Sequence, residues 1–553
     1  MSRVDHWLLV GATVAGAAAL ASGLGGTDLW PPDEPRVAEI AREMAATRRW
    51  LVPTLNGKPF LEEPPLFYWF QVVSYWIAGG ASGVSARVPA ALAGIAGVAA
   101  TGALAASVGA DPWIAALVLA TFPEYWWMSR TATPDTAACA ATALALLCFF
   151  VAWRAGRRAL LAGTVAGIVA AFGCKSFLPV GLGVVAIGTF VAVAGRGRVR
   201  IADGLLAAAA VAAITGAWVW WLAHAVGGGA ARFFVVGNHV GRFFGHADVG
   251  HARSVLYYPM NLALDLFPWS IVLPAAVVGA WTHRASPERH FPLVAAGAML
   301  AVLTISEAKR AHYLLPAYPA FALLVAQWWS EAWHGRFDRT VRRLMLASLL
   351  AVGPVLAFLS FGVHAEDVRG KIVDVLAAAR HATPAPASAV AAAAFLAGSF
   401  FVLQGERNGK PTRTVAALAG YVTGVHLLLS LVVFPRLNPL ASPRPDAERL
   451  GRLANRGVHV MAFGTDDGTA LSPILFYAGH EVPKIETVGT LVAHWQAGAA
   501  CALIRTTDYA ELAPKLSAPP VPTHLLPGSR FALVESAPGL CTTDPDPHRG
   551  PSS

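Results

Sequence analysis

The chain is short of charge and of cysteine. Asp, Glu, Lys and Arg make up 14% of its 553 residues, against 56% hydrophobic residues. Soluble domains carry roughly 25% charged residues, so an ordinary soluble globular fold is excluded. The five cysteines show no metal-type spacing. No P-loop or other nucleotide signature occurs. There is no internal repeat, and the one biased segment is Ala-rich, from His381 to Ala394.

What is present in quantity is apolar sequence. Stretches of about 17–25 residues recur to about residue 434, and each can cross a hydrocarbon core of ~30 Å. Backbone polar groups in lipid must be satisfied within the segment, so these read as helices of a polytopic membrane protein. The net charge of +9 would suggest nucleic acid in a soluble chain. Here it gathers in short loops at Arg154–Arg158, Arg196–Arg200, His283–Arg289, Arg336–Arg343 and Arg407–Arg413. That is the positive-inside pattern, and no nucleic-acid partner is expected.

With those loops in the cytoplasm, spans are expected at 6–25, 84–108, 112–129, 134–153, 159–174, 176–195, 202–223, 256–281, 290–305, 311–332, 341–363, 385–404 and 412–434. These are about thirteen spans, with the N-terminus inside and the C-terminus outside. The first is read as an uncleaved anchor rather than a signal peptide. The parity requires that Pro64 to Ala81, aromatic-rich and opened by a double proline, lie along the interface instead of crossing.

After Phe434 short β-rich runs (Val458–Phe463, Ala502–Arg505, Phe531–Glu535) alternate with helix-like pieces. The expected division is a membrane domain over 1–435 with an outer loop at 26–82, a small extracytoplasmic α/β domain over 436–543, and a disordered Pro/Ser-rich tail over 544–553. Cys139, Cys148 and Cys174 fall in or beside apolar spans and suit packing. Cys501 and Cys541 could pair as a disulfide if their region lies outside the cytoplasm.

The stretch Trp30 to Phe70 concentrates charge: Asp33, Glu34, Arg36, Glu39, Arg42, Glu43, Lys58, Glu62 and Glu63. It is long for a connection. Asp33 stands just before Pro35, as in a helix N-terminus, so it either caps a helix Arg36–Ala46 or acts chemically. Asp135 opens an apolar helix after Pro134, and capping by Thr133 or Asp135 competes with function there too. Lys175 stands between two apolar segments: it either pairs with an acid on another helix or binds phosphate. Lys309 and Arg310 are also basic residues on the outer face, against the positive-inside trend. His239, His246 and His251 with Asp248 could bind metal or be solvated loop residues.

An outward-facing site has no ATP, so a transferase there needs a donor already activated and carried in the lipid. Its chemistry asks for a carboxylate base and for cations on the leaving phosphate.

Segments in order across roughly residues 28–330 then match a known pattern: DEPRVAEIAREM, WLVPTLNGKPFLEEPPLFYW, RVPAALAG, PDTA, KSFLP, NHVGRF, YYPMNLALDLFPW and AKRAHYLLPAYPA. They resemble the lipid-linked sugar transferases of the C-type glycosyltransferase superfamily, in particular the 4-amino-4-deoxy-L-arabinose (lipid A) transferases and the polyprenyl-phosphate-mannose protein mannosyltransferases. The resemblance implies a mainly α transmembrane bundle with C-type architecture. It implies an inverting enzyme of the inner or plasma membrane that moves a sugar from a polyprenyl-phosphate donor to a lipid, glycan or protein acceptor. The site and the C-terminal domain would face the periplasm or exterior.

On matched positions it implies catalytic roles for Asp33 and Asp135. It places Arg36 near the carrier phosphate, Glu62 and His239 at metal and phosphate contacts, and Lys175 and Tyr313 along the carrier-lipid cavity. Beside the resemblance, charge and placement add Lys58, Arg242 and Lys309 as candidate contacts of the donor phosphate and Glu63 as a candidate ligand of a divalent metal with Glu62. One departure stands out: the family reads LEKPPL where this chain has Leu61-Glu62-Glu63-Pro64-Pro65. A carboxylate there would repel phosphate unless Lys58, Lys175 or a metal compensates. The competing readings are a transporter or flippase of lipid-linked substrates, which shares the helix count, and an inactive membrane scaffold, which Glu63 favours.

Overall fold

The computed structural model describes residues 3–245, 253–331, 336–361, 399–400, 402, 404–405, 407–464, 471–516, 524–525, 531–537 and 539–541. The expected spans 341–363 (its end) and 385–404 (nearly all), the residues His246, Asp248 and His251, and the tail 544–553 lie outside them. The chain divides into two units: 1–24, 61–70 and 87–436 form one, and 25–60, 71–86 and 437–553 the other.

The first unit is helical. Among the described residues, six helices are long and apolar enough to cross a membrane: Gly83–Ser107, Asp135–Ala155, Phe177–Ala194, Ile201–Val226, Pro287–Ile305 and Pro411–Arg436. Several expected spans are interrupted, each at proline. The stretch 112–129 is two helices, Pro112–Ala120 and Pro123–Ser129. Pro123 lacks the N–H that would continue the first. Asp111 caps that first helix by accepting from the backbone N–H of Trp113 and Ile114. The stretch 256–281 breaks into Tyr257–Asp265, a short 3-10 turn and Leu273–Thr282. The stretch 311–332 opens as a 3-10 segment, Ala311–Ala317, before Tyr318–Glu331. The segment expected at the interface is a helix, Leu66–Ala78.

The helical hairpin Asp135–Ala155 and Leu160–Lys175 decides where the chemistry falls. Gly156 ends the first helix at φ 71° and turns the chain back. The two helices approach closely because Gly167 faces the Ala141 carbonyl, where a Cβ would come within 2.7 Å of the oxygen. An antiparallel hairpin sets the start of one helix beside the end of the other, so Asp135 and Lys175 occupy one end of the bundle.

The second unit combines a helix, a hairpin and a sheet. The helix Asp33–Thr47 is followed by β1 (Thr54–Leu55) and β2 (Lys58–Pro59), paired antiparallel. Glu43 fixes that hairpin by accepting from the Thr54 hydroxyl at 2.7 Å and from the backbone N–H of Asn56 and Gly57. Strands β3 (His459–Phe463), β4 (Lys484–Ile485), β5 (Ala500–Arg505), β6 (His524–Leu525) and β7 (Phe531–Glu535) form a mixed sheet in the order β4-β3-β5-β7-β6. β3 is parallel to β4 and β5, while β7 is antiparallel to β5 and β6. A Cys501–Cys541 disulfide ties β5 to the segment after β7. The opening loop is sewn into this unit. Asp28 accepts from Asn438 Nδ2, the Ser442 hydroxyl and Arg444, Leu29 N–H donates to the Tyr477 hydroxyl at 2.6 Å, and Asn56 and Val482 exchange two hydrogen bonds.

Candidate active site

In the second unit, Asp33 is the first residue of its helix and not its cap. Pro32 holds the cap position, no side chain caps the helix, and the helix starts three residues before the expected Arg36. The Asp33 carboxylate instead accepts from Arg36 at 2.8 Å, one turn along. Arg36 also lies over the Phe60 ring, 5.7 Å from its centroid. The i,i+3 spacing brings the Asp33 and Arg36 side chains together on one helix face. One turn on, Glu39 is fully buried and grips Arg42 through two bonds of 2.7 Å. Burial pushes the Glu39 carboxyl up to about 7 despite Arg42. Lys58 is exposed on β2.

In the first unit, three residues far apart in sequence converge. The Lys175 ammonium lies 3.0 Å from Asp135 Oδ2 and 3.1 Å from Glu63 Oε1. All three side chains are at least four-fifths buried. Asp135 therefore caps nothing: Pro134 holds the cap position without a side-chain bond. Glu63 is brought in by the helix Leu66–Ala78, whose Leu66 packs against Gly173 so closely that a Cβ there would sit 3.0 Å away. The Tyr68 hydroxyl donates to Glu63 at 3.0 Å. His312 and Arg310 stand within electrostatic range of Asp135, and Tyr313 within range of Lys175.

Beside this cluster the chain turns between two helices on one residue. Ser176 adopts φ 76°, ψ −152°, a region essentially confined to glycine and costing about 1–3 kcal/mol. Its hydroxyl and His239 Nε2 are 2.6 Å apart. His239 Nδ1 lies 2.5 Å from the Phe234 carbonyl, to which it donates. Burial holds the imidazole below its usual range, and Arg242 adds to that. The neutral ring thus leaves Nε2 to accept from Ser176. His239 lies in a π-helical segment, Phe233–Gly241, a geometry frequent at functional sites. Asn238 Nδ2 donates to the Glu62 carbonyl at 3.0 Å, and Arg242 Nη2 is 3.8 Å from the Glu62 carboxylate. Arg242 Nε is buried with no hydrogen-bond partner among the described residues.

The remaining nominees divide. Tyr313 joins the cluster, whereas Lys309 is buried and donates to the carbonyls of Ser306 and Arg253 at 3.2 Å for the latter, tying two loops together. Glu62, Glu63 and His239 do not converge as a metal set. Glu63 is spent on Lys175, Glu62 faces Arg242, and both His239 nitrogens are bonded. Among the described residues no group of three such ligands is assembled. Sequence reasoning passed over Ser176 and His312; a serine in a one-residue interhelical turn, where glycine is expected, was the available signal for the first.

Compared with known proteins, residues 62–222 match the family described as dolichyl-phosphate-mannose-protein mannosyltransferase. The chain is 29% identical over 346 residues to an undecaprenyl phosphate-alpha-4-amino-4-deoxy-L-arabinose arabinosyl transferase of Pectobacterium carotovorum, covering 60% of this chain and 61% of that one. The same enzyme of Yersinia enterocolitica is 28% identical over 310 residues, 54% of this chain and 55% of its own. The chain thus spans about three-fifths of the length of these curated relatives. The crystal structure of ArnT from Cupriavidus metallidurans superposes with a TM-score of 0.77 at 19% identity, covering 98% of this chain and 99% of that one. Its complex with undecaprenyl phosphate superposes with a TM-score of 0.75 at 20% identity, over 97% and 98%. The fold is thereby that of a multi-pass, mainly helical integral membrane protein with a small C-terminal mixed sheet. In sequence the chain is thus similar to the mannosyltransferase family over residues 62–222 and to the aminoarabinose transferases over 346 residues, and in fold it is similar to ArnT over nearly all of its length.

Proposed function

We propose that the protein is a membrane glycosyltransferase that moves a sugar from a polyprenyl-phosphate donor to an extracytoplasmic acceptor, a lipid such as lipid A, another glycan or a protein. The observation that carries this is the buried Lys175 cluster together with Arg242. An ammonium has three N–H donors, and the two carboxylates engage two of them, leaving one for a phosphate oxygen. Arg242 adds a buried donor that lacks an acceptor among the described residues. Glu63 stands where the relatives' pattern has a cation, and Lys175 at 3.1 Å answers its charge.

In the proposed reaction an acceptor hydroxyl loses its proton to Asp33, and its oxygen bonds to the anomeric carbon. The bond from that carbon to the donor phosphate oxygen breaks, the configuration inverts, and the polyprenyl phosphate leaves as an anion held by Lys175 and Arg242. Asp135 orients Lys175, and Arg36, Lys58 and Tyr313 are assigned to donor contacts. No step is assigned to a metal, because the nominated ligands are engaged elsewhere. The proposed topology keeps about thirteen spans, with the helix from Leu66 along the interface and the opening loop and sheet unit outside.

The test follows radiolabelled sugar from a synthetic polyprenyl-phosphate donor in proteoliposomes. Asp33→Ala and Lys175→Ala should each abolish transfer; full transfer by both would overturn the mechanism. A Lys58→Cys thiol should react with an impermeant reagent from the outer face, and labelling only from the cytoplasmic face would overturn the orientation.

A further inference from the structure

The first unit holds a second polar constellation at the other end of its helices. Arg154, near the end of the 21-residue helix that Asp135 begins, lies 3.7 Å from Glu288 at the start of Pro287–Ile305. Twenty-one residues of helix span about 30 Å, so this end faces the opposite membrane boundary from Lys175. A cavity of about 260 Å³ opens here between Leu273–Thr282, the start of Pro287–Ile305, the end of Tyr318–Glu331 and the start of Arg336–Phe361.

Its composition is specific. One wall consists of small residues, Ala275, Ala276, Gly279 and Ala280, which create the room. Gln327 lines it with both amide atoms, Nε2 and Oε1, cut off from solvent and without a partner among the described residues. Leaving a buried donor and acceptor unpaired is unfavourable, so this amide calls for a ligand that both accepts and donates. Arg289 pairs with Glu331 at 2.7 Å, with each side chain more than two-fifths exposed. His283 stands 4.0 Å from Glu331. Asp338 accepts from the Trp328 indole at 3.0 Å. Among Arg289, Glu331 and Asp338 the carboxylates outnumber the guanidinium by one.

We propose that this cavity binds the headgroup and glycerol esters of a zwitterionic phospholipid bearing a phosphate and a primary ammonium. The phosphate takes Arg289. The ammonium donates to Glu331 and to Gln327 Oε1, and an ester carbonyl accepts from Gln327 Nε2. A quaternary ammonium has no N–H and leaves Oε1 unpaired. An anionic headgroup meets the excess carboxylate. The small-residue wall faces the acyl region, at a boundary where apolar helices end in charged loops. The assignment is independent of the transferase reading.

The experiment is native mass spectrometry of the full chain in mild detergent with equimolar phosphatidylethanolamine, phosphatidylcholine and phosphatidylglycerol. Phosphatidylethanolamine should be retained about three- to tenfold over the others, the effect of one or two buried hydrogen bonds. Gln327→Leu should remove the preference. Glu331→Gln, on an exposed side chain and without effect on folding, should reduce it by a similar factor. Equal retention of the three lipids, or an unchanged preference in a folded Gln327→Leu protein, would overturn the proposal. Displacement of the lipid by an equal concentration of free phosphoethanolamine would overturn the lipid as the source.

Discussion

The two carboxylates proposed for catalysis are held in opposite ways. Asp33 is fixed by its own helix, through an i,i+3 pair with Arg36 at 2.8 Å and partial exposure to solvent. Asp135 is fixed by other elements: Lys175 from the next helix at 3.0 Å, itself bound to Glu63 from a distant turn at 3.1 Å. A local pair of that kind contributes little to stability. A buried cluster costs a great deal when one member is lost, because a charge remains without its partner. The Asp33–Arg36 pair thus lies within one helix, whereas the Asp135 pair ties separate elements of the first unit together.

The widest separation between the two should come from removing one member of each. Lys175→Ala is expected to abolish transfer and to destabilise the first unit by about 3–5 kcal/mol, since Glu63 and Asp135 are left facing each other. Thermal unfolding in detergent would measure this, and adding Glu63→Gln should restore part of the stability but not the activity. Asp33→Asn should lower transfer by about 10²–10⁴-fold, as for loss of a general base, with a stability change within about 1 kcal/mol. Unfolding losses of equal size in the two variants would erase the distinction.

The covalent and titrating supports of the second unit come next. Cys501 and Cys541 are 40 positions apart, and their replacement by serine should cost about 2–4 kcal/mol, visible as earlier protease cleavage in the sheet. Glu39 supplies a pH dependence with a definite sign. Its carboxyl sits at about 7 in the fold against an ordinary 4.5, so the folded state holds the proton more tightly than the unfolded one. That stabilisation is complete below about pH 4.5 and is lost as pH rises through 7, by about 3 kcal/mol in all. Glu39→Gln should flatten the decline; a decline of unchanged size between pH 5 and 8 would exclude Glu39 as its origin.

The smallest expected effect lies at Ser176. Ser176→Gly relieves the backbone and loses the His239 bond, so its stability should stay within about 1 kcal/mol of the parent. Ser176→Ala keeps the strained backbone without the bond and should be less stable than Ser176→Gly by about 1 kcal/mol.

Sequence reading reached further in some parts than in others, for identifiable reasons. Apolar length identified the six described helices long enough to cross a membrane, and the β-rich runs at 458–463, 502–505 and 531–535 identified three strands of the sheet. Two-residue strands such as β4 at Lys484–Ile485 carry no period to detect. Prolines at 123, 268 and 316 were visible but were absorbed into long hydropathy windows, so three spans came out unbroken. Capping at Asp33 and Asp135 was a local inference defeated by side chains that found cations instead. A possible pairing of Cys501 with Cys541 rested on compartment alone, and the fold brings them to a Cα separation of 6.0 Å.

By itself the sequence determined that this is a membrane protein of many helices, because hydrocarbon length and backbone desolvation act on every segment alone. It also determined the turn that holds Asp33 to Arg36, since three residues of helix suffice. Only tertiary structure decided what answers Glu63. Lys175 is 112 positions away, and its ammonium reaches Glu63 because glycines at 167 and 173 let two helix contacts close. Pairings at that separation depend on packing, and no local periodicity encodes them.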